Sequence, residues 1–188
     1  MTYPRGCVFS IGGKTPRIAD DVFLAPGSIV AGDVEIGAGS SVWFNVVIRG
    51  DVAPIRVGER TNIQDGAVLH VDPNAPCTIG NDITIGHSAI VHGTTVEDGV
   101  TIAMGAIVLS RSMIGEGAVV AAGAVVSEGQ VVAPGALVIG IPAKERRVLS
   151  VEEQAVFKSN AANYAVNAAR FIAALEEADL VTEPHRGG

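Results

Sequence analysis

The sequence predicts an all-β fold, a parallel β-helix of about seven triangular turns followed by a C-terminal α-helix. Three observations carry that reading: an aliphatic residue recurs every six positions, glycine is abundant without a collagen-like period, and a helical pattern begins only where the six-residue period ends. The aliphatic series reads Ile18, Leu24, Val30, Ile36, Val42, Ile48, resumes at Val57, Ile63, Leu69, and again at Ile79, Ile85, Val91. It then runs from Val96 through Ile102, Val108, Ile114, Val120, Val126 and Val132 to Val138. Four residues after many of these stands a small or β-branched residue, such as Val22, Ser28, Val34, Ser40, Ala106, Ser112, Ala118, Ala124 and Ala136. A helical period of 3.6 cannot keep a six-residue repeat on one face, whereas a short strand and a turn can. Three units, about eighteen residues, close one triangular turn, and seven turns at strand spacing give a prism about 34 Å long. No turn buries its own apolar side, so stability comes from stacked neighbours. With 48% apolar but only 4% aromatic residues, the interior is narrow and aliphatic.

The repeat breaks in three places. Around Pro54 to Arg56 it slips by three residues, Val71 to Pro76 forms an inserted, protruding loop, and one residue is missing between Val91 and Val96. Gly140 to Lys144 closes the repeat, and Ser150 to Glu153 is a capping-box pattern. Phe157, Ala161, Tyr164, Ala168, Phe171 and Leu175 then follow helical spacing, predicting an amphipathic helix of roughly 25 residues laid along the prism. The expected organisation is a β-helix over 1–148, the packed helix over 149–181 and a disordered tail over 182–188. Over residues 11–143 the pattern resembles the hexapeptide repeat. Periodicity leaves the handedness open and the general crossover rule favours right-handed connections; the resemblance implies a left-handed coil.

A net charge of −7 argues against general affinity for nucleic acid or anionic membranes, since no basic patch is present to release counterions. No apolar run approaches the ~20 residues of a membrane span, and no signal-peptide pattern opens the chain. The cytoplasm is the expected compartment. Cys7 and Cys77 are too few for a disulfide framework and are expected as buried free thiols, with gating by oxidation as the alternative.

Three of the four histidines, His70, His87 and His92, lie close together in the sequence, and His185 falls in the tail. His70 and His92 directly follow the inward residues Leu69 and Val91, and His87 stands two places after Ile85, so all three point outward. Three imidazoles with one open position describe a catalytic zinc site, whereas a structural site is closed by four ligands. His87 and His92 straddle a corner, which strains joint ligation within one chain. A metal shared between neighbouring chains relieves this, and a closed three-fold ring makes three such sites.

Arg49, Gly50 and Asp51, then Gln64 and Asp65, His70, and finally His87 with His92 resemble the signature of the gamma-class carbonic anhydrases, in a shorter carbonic-anhydrase-like branch. The resemblance implies a homotrimer with His70 and His92 from one subunit and His87 from its neighbour around Zn2+, with Fe2+ or Co2+ as alternatives because imidazole suits several metals. It implies an interface ion-pair network of Arg49, Asp51 and Asp65, and Gln64 bonded to metal-bound hydroxide or to substrate. Hydroxide then attacks CO2 to give bicarbonate, and a proton leaves. Val52 replaces a glutamate of the family pattern, and the loop after His70 is short, with Asp72 its only acid. Proton export is therefore expected to be slow, or to use Asp72 or Tyr164. Two other readings stay open: an acyl-CoA transferase or thioesterase with a histidine base and no metal, and a non-catalytic, metal-stabilised trimeric scaffold.

Overall fold

A computed structural model describes residues 5–177. The expected aliphatic ladder forms the interior. Leu24, Val42, Ile63, Ile85, Ile102, Val120 and Val138 stack on successive rungs of one face of a triangular prism. Val30, Ile48, Leu69, Val91, Val108 and Val126 stack on a second. Ile36, Val57, Ile79, Val96, Ile114 and Val132 stack on a third. All these are buried. Each ladder is parallel, about seven turns deep, and the small residues four places on fill the corners. Ile18, at the N-terminal end, is only half-buried because little lies beneath it.

The three faces differ outside. Residues next to the inward ladder point away from it, and on the face of Val30 to Val126 these are Ile29, Val47, Val68, Ile90, Ile107 and Val125, an unbroken aliphatic row. Among the described residues nothing covers it, and Ile29 and Ile90 are exposed. On the face of Ile36 to Val132 the row begins Arg17, Glu35, Arg56, Thr78, Thr95, which suits water. The remaining face presents Phe23, Ser41, Asn62, Thr84, Thr101 and Val119, and the helix α1 (Val151–Glu177) lies along it. We refer to these as the aliphatic, polar and helix-covered faces.

α1 starts as a capping box: Ser150 N–H donates to Glu153 (2.9 Å) and Glu153 N–H donates to Ser150 Oγ (3.3 Å). Arg147 also grips Glu153 through both carboxylate oxygens, and with the Ser150 N–H it holds that carboxyl down from 4.5 to about 2. The charged form of the cap thus contributes above pH 4.5 and is lost as the pH falls toward 2. Ser150→Ala is expected to cost about 1 kcal/mol of helix docking. The emission of Trp43, the chain's single tryptophan, reads it, since that ring packs edge-on against Tyr164 (5.3 Å) and Phe171 (5.1 Å) of α1. Ala161 and Ala168 are the helix residues buried against the prism. Phe171, expected within the apolar stripe, touches Trp43 yet stays 42% exposed.

The slip near Pro54 is an outward excursion. Gly32 pairs with Gly50 but Val34 pairs with Ile55, so Asp51 to Pro54 bulge from the strand. Gly32 has φ +83°, and a Cβ there would lie 2.3 Å from the Gly50 carbonyl oxygen, so only glycine permits the approach that launches the bulge. The inserted loop turns at Asn74 in the left-handed region, with Asp72 bridged to Ala75.

The cysteines divide. Cys77 is buried, as expected, but Cys7 is exposed, because its strand is the first rung and Cys7 shares the outward register of Ile29. Burial pushes the Cys77 thiol up to about 12. A thiol reagent at pH 8 is therefore expected to leave Cys77 unmodified in the folded chain and to reach it only on unfolding, as peptide mapping would report. The expected tail, with His185 and the end of the predicted helix, lies outside the described residues. Among the described residues no helix is long and apolar enough to cross a membrane.

Candidate metal centre

The histidines occupy the two edges that bound the aliphatic face. His70 and His92 follow Leu69 and Val91 on adjacent rungs, where their Cα atoms are paired, at the edge with the polar face. His70 Nδ1 and His92 Nε2 stand 2.9 Å apart, and the rings meet edge-on. Stacking is the cause: two residues that each follow an inward residue by one place must lie one above the other. His87 turns the opposite edge, between the helix-covered and aliphatic faces, beside Asp65 one rung below. Within one chain, no three His, Cys, Asp or Glu side chains among the described residues form a metal ligand set.

Each imidazole has a carboxylate behind it. His70 Nε2 is 3.0 Å from Asp51 on the bulge. His87 Nδ1 is 2.9 Å from Asp65. His92 Nδ1 is 2.9 Å from Ser110 Oγ, which donates to Asp72 (2.7 Å). Arg49 pairs with Asp51. The expected Arg49, Asp51 and Asp65 group is thus split within the chain, Asp65 lying on the other edge. For Asp51, partial burial raises the carboxyl, but hydrogen bonds from His70, its own backbone and Arg49 bring it below the usual range. For Asp72 the Ser110 hydroxyl does the same, against slight burial and with His92 adding.

The His87 edge opens on a cavity of about 330 Å³ lined by Gln64, Thr84, Thr101, Met104, Phe157 and Tyr164, among others. Tyr164 Oη lies 3.5 Å from His87 Nε2. Burial raises its phenol, and Asp65 raises it further. Gln64 is almost buried and donates from Nε2 to Asn62 Oδ1 (2.9 Å). Asn62 in turn donates to Thr84 Oγ1 (2.9 Å) and the Ile83 carbonyl (3.2 Å). Ser110 and Asn62 were not singled out by the sequence reading. Ser110 stands one eighteen-residue turn beyond His92, so the repeat itself carried the signal.

Residues 15–50 and 93–128 match the bacterial transferase hexapeptide (six repeats) family. The mitochondrial gamma carbonic anhydrase 2 of Arabidopsis thaliana is 45% identical over 92 residues, 46% of this chain. That match spans only 33% of the plant protein, and less than half of several other curated relatives. The probable carbonic anhydrase of Methanocaldococcus jannaschii is 48% identical over 147 residues, covering 78% of this chain and 92% of the archaeal one. The chain belongs to the gamma carbonic anhydrase-like branch of the hexapeptide-repeat family. Within the wider hexapeptide-repeat family, a solved structure of a putative acetyltransferase from Bacillus cereus superposes with TM-score 0.87 at 37% identity, covering 89% of this chain and 97% of that one.

The paired imidazoles of His70 and His92 fit two positions of a metal site. A tetrahedral zinc with Zn–N bonds near 2.0–2.1 Å separates two nitrogens by about 3.3 Å. The His70–His92 pair at 2.9 Å needs only a small opening to reach that. Carboxylates that brace the imidazoles are the usual outer shell of such ligands.

Proposed function

We propose that the chain assembles as a ring of three in which His70 and His92 of one copy and His87 of the next hold Zn2+, and that this centre reversibly hydrates CO2 to bicarbonate. The observation that carries the reading is the placement of three braced histidines on the two edges of the aliphatic face, which no described residue covers. Burying that face in a closed ring sets the His87 edge of each copy against the His70 and His92 edge of its neighbour. Zinc bound there supplies a nucleophile from water by lowering its pKa to about 7, the magnitude known for carbonic anhydrase itself.

The chain's own residues set the rest. Gln64, held by Asn62, offers its amide at the cavity to a small polar substrate. Tyr164 stays protonated at neutral pH and serves as a hydrogen-bond donor beside His87. Phe157 and Met104 give the cavity an apolar side. Gln64→Ala is expected to keep the metal and lower turnover by about 100-fold, the scale for losing one preorganised donor; dissociation of the trimer instead would make the residue structural. Stopped-flow CO2 hydration by zinc-loaded and metal-stripped protein tests the reaction. Rates that do not depend on zinc at full occupancy would contradict it.

The cavity exceeds what CO2 needs, and with the Bacillus cereus relative it supports a second reading, acyl-CoA chemistry with His87, oriented by Asp65, as general base. Turnover of acetyl-CoA that persists in excess chelator would favour it.

A further inference from the structure

Asp72 is the sole acid in the loop after His70, which made it a candidate for carrying protons out. The structure gives it other work. Its carboxylate lies 3.7 Å from His92 Nδ1, too far for a hydrogen bond, and the Ser110 hydroxyl bridges the gap at 2.7 Å and 2.9 Å. A serine hydroxyl has one proton. Given to Asp72, that proton leaves Ser110 Oγ as an acceptor, so His92 Nδ1 must carry the hydrogen between them. His92 Nε2 is then the unprotonated nitrogen, and it is the one aimed at His70. Ser110 is 6% exposed and sits on the rung above His92, so it cannot swing away, whereas the loop holds Asp72 through its bridge to Ala75.

On the metal reading above, we infer that Asp72 and Ser110 form a positioning relay that fixes the His92 tautomer for metal binding, and that Asp72 is not the proton carrier. The two residues act in series, so losing either breaks the whole relay. The measurement is zinc affinity of the assembled protein by chelator competition for wild type, Ser110→Ala, Asp72→Asn and the double variant, with thermal melting of the metal-free forms alongside. Each single variant is expected to bind zinc 10- to 100-fold more weakly, the scale for outer-shell partners, with the double no weaker than either and metal-free melting unchanged. Weakened hydration in Asp72→Asn is expected to resist rescue by concentrated imidazole buffer. Unchanged affinity in the single variants, additive losses in the double, or full buffer rescue of Asp72→Asn would overturn the relay while leaving the metal centre standing. A wild type that takes up no zinc would overturn both.

Discussion

His92→Ala is expected to empty the metal centre and abolish zinc-dependent hydration while the prism stays folded. The side chain is outward and about one-quarter exposed, so its loss leaves the aliphatic ladder intact. Surface changes of this kind move stability by about 0.5 kcal/mol at most. In the proposed centre the imidazole supplies one of three ligands, and its removal leaves His70 facing an empty position. His87→Ala is expected to behave identically in metal content although it lies on another edge. Metal analysis of purified trimers checks both. The pairing of a large functional loss with an unchanged melt distinguishes a ligand from a structural histidine.

Leu69→Ala is expected to destabilise the fold by about 2–5 kcal/mol, since Leu69 is fully buried between Ile48 and Val91 in the ladder and a cavity there can collapse only in part. Denaturant melts with unchanged slope give the value. His70 follows Leu69 directly, so the same change should also loosen the histidine pair. Val68→Ala, one residue earlier and outward on the aliphatic face, removes similar chemistry from a different place. It should cost the isolated chain little and weaken subunit association instead.

The contrast between Val68 and Leu69 shows what the sequence made legible. A six-residue period with an inward residue fixes the direction of its neighbours, so the ladders, the outward histidines and the three breaks could all be read from the chain. The capping box at Ser150 was equally local. Two kinds of information were hidden. The first is which rung meets which: the loop at Asp72 lengthens the turn between His70 and His92 to 22 residues, so their stacking depends on where that loop leaves the coil. The same offset sets Asp65 against His87, while Arg49 pairs with Asp51. The second is position along the prism. Cys7 lies on an end rung and is exposed, whereas Cys77 lies mid-stack and is buried, although neither thiol's local sequence says so. Phe171 likewise has the spacing of a buried residue yet leans only part of its ring on Trp43.

The most direct test of a centre shared between chains is the metal content of mixed trimers made from His87→Ala and His92→Ala chains. Neither variant alone should bind zinc. In any mixed ring of three, one interface brings an intact His70 and His92 edge against an intact His87 edge, so each mixed trimer should hold one zinc ion and recover about a third of the hydration rate of a full trimer. Mixed trimers that remain free of metal would contradict the shared centre.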